Sequence, residues 1–243
     1  MNVTKNKDHS TTKKNTVAVI AILLVCVLAI GGTIAYLTSH SQLTNKFTVG
    51  QINPIDKGDK GPGGTETNPD PVDPGKDNSK LNGNLYEPGW DVDNAKLLPS
   101  ATIKKDPYVG VGAGSEECDV YVYVKNTMTN NNHIYFSVNA GWEPVAGQAT
   151  ALPNGKYTGG LFKYTAGLNA LDAKNNVWTS APLFTNVEVS NDAKAEDFTV
   201  SGNDKTVGAI EVQAFLHQSK NAEKQDIDDN TILEAAKKAF GIK

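Results

Sequence analysis

The chain has 243 residues, a formal net charge of −4, and no arginine among its 23 basic side chains. That balance excludes an electrostatic case for binding nucleic acid, and the missing guanidinium fork excludes bidentate phosphate clamps. The only cysteines are Cys26 and Cys118, too few for a disulfide scaffold.

Residues 1–15 are polar and net positive, carrying Lys5, Lys7, Lys13 and Lys14. Val17 to Ile30 is then wholly apolar, fourteen residues, which suits the hydrophobic region of a signal peptide better than a membrane span. Thr33 and Ala35 offer the small residues that a signal peptidase requires, so residues 1–35 are expected to form a hydrophobic signal helix that is removed. The alternative is an uncleaved anchor, because counting on through Leu37 gives about 20 residues, enough to cross a bilayer. With Cys26 removed, Cys118 would be left without an intramolecular partner, a pattern that suits Gram-positive secretion.

Residues 36–53 form the new N-terminal segment, in which Leu43, Phe47, Val49 and Ile52 mark a candidate β-strand closed near Gly50. Residues 54–80 contain five prolines, five glycines and no aromatic residue. Such a stretch reads as a flexible linker, with a random-coil reach of roughly 25–30 Å. Asp70, Asp73 and Asp77 lie there without the spacing of a calcium loop.

The main body is expected over residues 81–243. Asp119 to Lys125 alternates strictly, with Val120, Val122 and Val124 on one face and Tyr121 and Tyr123 on the other. That is a strand covered on both sides. Asn126 to Asn132 has turn chemistry, and Ile134, Phe136 and Val138 alternate after it, so the pair reads as a hairpin. Further strands are expected at 102–104, 108–111, 161–164, 183–189, 197–200 and 207–217. The fold class is therefore mainly β, an antiparallel β-sandwich of jelly-roll or Ig-like type. At the C-terminus the period changes. Asp228 offers an N-cap, Ile232, Leu233, Ala236 and Phe240 recur at helical spacing, and Gly241 can close the helix, which is expected over about 229–240.

Catalytic chemistry is thin. Of the four histidines, His9, His40, His133 and His217, none belongs to a His-Glu-x-x-His motif, and His133 and His217 would have to meet across the sheet to bind zinc. Asp226, Asp228 and Asn230 imitate the start of an EF-hand loop, but Thr231 stands where glycine is required. No base accompanies Cys118 in a recognisable motif, and no phosphate-binding glycine loop or nucleophile elbow occurs. The expectation is that the protein is not an enzyme and uses no metal or cofactor. Trp90, Trp142 and Trp178 are expected to serve packing rather than a ligand-binding surface.

Three stretches carry a family resemblance. Gly31-Gly32-Thr33-Ile34-Ala35-Tyr36-Leu37-Thr38, followed by Asn45-Lys46-Phe47-Thr48-Val49-Gly50, resembles the junction of Gram-positive proteins exported through a SipW-type signal peptidase. That group includes the TasA and camelysin biofilm-matrix proteins. Leu85-Tyr86-Glu87-Pro88-Gly89-Trp90, continuing through Leu98-Pro99 to Lys104-Lys105-Asp106-Pro107, is similar to a second stretch of that family, and Val212 to Gln218 is a weaker third match. Ser100 departs from the pattern, which has glycine there. The resemblance implies cleavage after Ala35 or Tyr36 and secretion to the cell surface or biofilm matrix. It also implies self-assembly into fibres, with an N-terminal segment passed to the next subunit. Partners would then be copies of the chain or related matrix proteins, with signal peptidase during export and membrane contact only through the N-terminal segment. Some camelysin-like proteins are classed as metallopeptidases, which the residues do not support. The rival expectation is a membrane-tethered monomeric adhesin or ligand-binding module, with residues 54–80 as its stalk.

Overall fold

The computed structural model describes residues 45–47, 52–53, 55, 60–64, 81–82, 84–90, 95–128, 130–200 and 203–243. The signal segment, the cleavage residues Thr33, Ala35 and Tyr36, the strand candidates Leu43 and Val49, and Asp70, Asp73, Asp77, His9 and His40 lie outside them. All described residues belong to one compact unit, Ser41–Lys243.

Among the described residues are fourteen strands and one α-helix, besides short 3-10 turns: β1 (Asn45–Phe47), β2 (Leu81–Asn82), β3 (Leu85–Tyr86), β4 (Thr102–Lys104), β5 (Tyr108–Val111), β6 (Cys118–Asn126), β7 (Ile134–Tyr135), β8 (Trp142–Ala151), β9 (Tyr157–Leu168), β10 (Val177–Trp178), β11 (Asn186–Val189), β12 (Thr199–Val200), β13 (Asn203–Val207), β14 (Ile210–Gln218) and α1 (Asp229–Phe240). The principal sheet has the order β1-β14-β6-β9-β8. A four-stranded sheet, β10-β5-β3-β2, and a three-stranded sheet, β4-β11-β7, lie in the chain's other layer, and β12 and β13 pair separately. The protein is mainly β with antiparallel sheets and one C-terminal helix, as its patterning predicts.

The alternation in β6 explains the layering. Val120, Val122 and Val124 enter a core shared with Val212, Ala214 and Leu216 of β14 and Phe162 and Tyr164 of β9. Leu85, Val109 and Val111 meet them from the four-stranded sheet, and Ile103, Ile134, Val187 and Val189 from the three-stranded sheet. Period two thus sends one set of side chains between the layers. The opposite set faces α1: Tyr121, Leu161 and Phe215 pack on Ile232 and Ala236, which are fully buried. Both faces of β6 are covered, which accounts for its lack of a polar side.

The helix follows its sequence cues. Asp228 accepts a hydrogen bond from the Thr231 backbone N–H at 3.1 Å, and Gly241 adopts φ 71°, a left-handed closing conformation that glycine allows. Lys163 of β9 ties the helix start to the sheet, 3.1 Å from Asp119 and 3.2 Å from Asp229.

Three sequence expectations are corrected. β6 and the 134–138 stretch do not form a hairpin: β6 pairs β14 and β9, whereas β7 pairs β11. The asparagine-rich connection carries the chain from one layer to the other, and alternation alone does not name a strand's neighbour. In the 183–189 stretch, Leu183 and Phe184 are buried but precede the strand, and in 197–200 only the last two residues are extended. The third correction concerns residues 54–80. Ile55 is buried against Tyr86 and Trp178, and the Trp178 indole N–H donates to the Lys60 carbonyl at 3.1 Å. The body therefore takes in residues upstream of Leu81. Proline and glycine dominate the composition there and mask one isoleucine that has a pocket and one carbonyl that an indole requires.

Candidate assembly edge

A sheet can add a strand only at an edge, where main-chain N–H and C=O groups face outward. The principal sheet has two edges, and they differ. One is β8, ten residues long and mostly exposed. It carries Pro144, which has no N–H to offer, and its pairing with β9 breaks register between Pro144 and Ala149. At this break Gly160 of β9 has φ +116°, and a Cβ there would collide with the Ala149 Cα and the Gln148 carbonyl. Only glycine lets the bulged strand press so close. Proline and a bulge are the usual guards of an edge that must not pair.

The other edge is β14, nine residues long, covered by three residues of β1. The pairing is parallel, with Asn45 opposite Ala214, Lys46 opposite Phe215 and Phe47 opposite Leu216. Every other described pairing in this sheet is antiparallel. Phe47, singled out in the sequence as a strand residue, is thus in a strand, and the segment that carries it lies on its own chain's sheet.

Ile52, the last residue of the candidate donor strand, behaves differently. It is buried in the main core, 9% exposed. Asn53 beside it is pinned to the turn before β6: its N–H donates to Ser115 Oγ at 2.9 Å, its Nδ2 donates to the Ala113 carbonyl at 2.7 Å, and its carbonyl accepts from the Gly112 N–H at 3.1 Å. Ile55, 5% exposed, completes this clamp. Two buried isoleucines contribute about 1.5–3 kcal/mol each, and each hydrogen bond about 0.5–1.5 kcal/mol. β1 pairs with β14 over three residues, at about 1 kcal/mol per main-chain bond.

The residues weighed for chemistry are dispersed. His133 lies between Asp192 (3.4 Å) and Asp197 (3.8 Å) in the loops beside β7, whereas His217 is on β14 with Nδ1 2.7 Å from the Gln218 carbonyl. Among the described residues, no three of His, Cys, Asp and Glu are grouped to hold a metal. Cys118 is fully buried, and burial, with the Asp119 charge beside it, pushes its thiol up to about 12, so the nucleophilic thiolate does not form at neutral pH. Asp228 is a helix cap. The tryptophans pack: Trp142 is buried with its N–H on the Ala181 carbonyl, Trp178 lies against Tyr86, and Trp90 carries the Lys105 ammonium 4.7 Å from its ring centre. A cleft of about 210 Å³ beside the end of α1, lined by Tyr123, Lys125, Gln148, Thr150 and Ile242, presents no carboxylate or histidine.

The polar cluster around the 85–107 motifs escaped sequence reasoning as a unit. The Lys105 ammonium sits 2.8 Å and 2.9 Å from the two oxygens of buried Glu87, and Asp106 Oδ1 accepts from the Gly89 N–H at 2.7 Å. The one available signal was the strand-flanking Glu-Pro-Gly-Trp and Lys-Lys-Asp-Pro pair, which fastens the loop carrying Trp90 to the end of β4. No family model matches the chain, and no curated protein or solved structure matches it either.

Proposed function

We propose that this protein is a secreted structural component of the cell surface or biofilm matrix, and that it assembles into fibres by β-strand addition. The observation that carries the proposal is the parallel seating of β1 on the edge of β14, while the other edge of the same sheet is guarded. A strand from the N-terminal segment of one copy fits the edge of another copy as it fits its own, because main-chain pairing is independent of which chain supplies the strand. Exchange of this kind run head to tail is heterologous, and it propagates as a filament when the rotation between copies does not close a ring. The resemblance of residues 31–50 to the export junction of the TasA and camelysin group supports the same role, with signal peptidase releasing the N-terminus that becomes the donor. The role is structural rather than catalytic, and it calls for no cofactor.

The test is deletion of residues 41–50 from the chain beginning at residue 36. The deletion stops short of Ile52 because that residue is part of the core. Electron microscopy of the intact chain is expected to show fibres, and the deleted chain is expected to remain monomeric with its melting transition retained. Fibres formed equally by both would overturn the proposal.

A further inference from the structure

The cleft beside the end of α1 is built by an irregularity in β9. In a strand of period two, residues an odd number apart face opposite layers. Leu161 packs on Ile232 and Ala236 of α1, and Phe162 enters the core between the layers. Continued regularly toward its start, β9 would send Tyr157 toward α1 and Thr158 into that core. The chain does the reverse. Tyr157 packs on the rings of Phe136 and Phe162, 6.5 Å and 5.4 Å away, and Thr158 lines the cleft on the α1 side together with Tyr123 and Ile242. The reversal falls at the register break between β8 and β9, where Gly160 has φ +116°. Bulges of this kind re-aim a side chain.

What this one re-aims is a hydroxyl without a partner. Thr158 is 1% exposed, and its Oγ1 makes no hydrogen bond. Burial without a partner disfavours a hydroxyl, so a ligand that supplies one is held the more firmly. Gln148 and Thr150 of β8 and Lys125 of β6 line the same cleft. Its volume of about 210 Å³ is the room of roughly seven waters, more than Thr158 needs for its own satisfaction. It is also smaller than the roughly 300–1,000 Å³ of a pocket for a drug-sized molecule, so the occupant has the size of about one ring. Charge narrows the class. No carboxylate or histidine lines the cleft to attract a cation, and its one ammonium, Lys125, is engaged by Glu211 at 3.4 Å. What remains is amide and hydroxyl chemistry on one wall, with Tyr123 and Ile242 as an apolar wall. A sugar ring offers the complement, hydroxyls around its rim and C–H groups on its face.

The geometry points to a binding site for one ring of a neutral saccharide, with Thr158, Gln148 and Thr150 as its hydrogen-bonding residues. Nothing in this reading requires strand addition at β14, so a chain that forms no fibres tests it equally well.

The chain from residue 36, isotope-labelled for NMR, is titrated with glucose, N-acetylglucosamine and the β-linked tetrasaccharide of each, up to about 10 mM, which reaches millimolar affinities. Saturable amide shifts confined to residues 123–126, 148–150, 158–160 and 242 are expected with at least one probe. No shift with any of them, or shifts confined to other parts of the body, would overturn the inference. A tetrasaccharide that binds more tightly than its monosaccharide identifies a polysaccharide as the source of the ring, and equal affinities identify a free sugar. Thr158→Val is the discriminating variant. It is expected to weaken binding about fivefold, the worth of one hydrogen bond, while the melting transition stays or rises because an unpaired buried hydroxyl has gone. Unchanged affinity, or a lowered melting transition, would overturn the inference. Gln148→Ala, on the exposed strand β8, gives a second reading that does not depend on a buried position. A similar loss of affinity is expected, and unchanged affinity would overturn the inference.

Discussion

At the scale of single residues, the 85–107 cluster shows how much buried polar chemistry a small loop can hold. Asp106 is 6% exposed, and burial raises its carboxyl above the usual value, against the opposing help of the Gly89 N–H and the Lys104 charge. A carboxyl raised in the folded state binds its proton more tightly there than in the unfolded chain. Its contribution therefore disfavours the fold at neutral pH, and that penalty is relieved as the pH falls through the raised value toward the unfolded one. Asp106→Asn keeps an acceptor for the Gly89 N–H and removes the buried charge, so it is expected to leave stability at pH 7 unchanged or increased. Asp106→Ala removes the acceptor and is expected to cost about 1–3 kcal/mol, because the amide is left unpaired. Urea unfolding at pH 7 checks both, and equal losses in the two variants would contradict this account. Glu87 and Lys105 pair closely, at 2.8 Å, whereas the Lys104 ammonium that faces Asp106 stands 3.8 Å away and is largely exposed. The sequence signals this cluster only through its Glu-Pro-Gly-Trp and Lys-Lys-Asp-Pro stretches. Charged residues next to proline and glycine look like ordinary loop, and only the fold brings residue 87 to residue 105.

At the scale of elements, legibility follows the number of independent cues. α1 has an N-cap aspartate, an apolar stripe at helical spacing, basic residues in its last turn and a closing glycine, and its bounds emerge as expected. β6 and β14 are legible for a similar reason, since strict alternation of branched and aromatic residues has one structural solution. β8 is not: Trp-Glu-Pro-Val-Ala-Gly-Gln-Ala-Thr-Ala is a poor strand sequence, tolerated because an exposed, guarded edge needs no apolar face. The clamp is hidden because three docked residues are diluted in a segment of low hydrophobicity. The helix offers a graded test. Asp228→Ala removes the cap and is expected to cost about 1 kcal/mol. Ile232→Ala opens a cavity beneath Phe215 and Leu161 and is expected to cost about 2–5 kcal/mol. The order of the two midpoints in urea unfolding is the readout, and an Ile232→Ala cost below that of the cap variant would mean that the helix does not pack on the sheet as described.

At the scale of the whole molecule, the two edges of one sheet have opposite characters. β8 is long but broken and carries a proline, so it resists pairing. β14 is regular over nine residues, and β1 pairs with three of them. That asymmetry would give the proposed assembly a direction, with β14 as the acceptor edge and the N-terminal strand as the donor. The central claim is that β1 must leave its own β14 for a fibre to grow, and a cross-link across that pairing tests it most directly. Asn45 and Ala214 are register partners, and neighbouring strands stand about 4.8 Å apart, within the Cα range of a disulfide. In the Asn45→Cys, Ala214→Cys variant of the chain from residue 36, sedimentation and electron microscopy are expected to find monomer after oxidation and fibres after reduction. Oxidised protein that assembles as readily as reduced protein would contradict the claim.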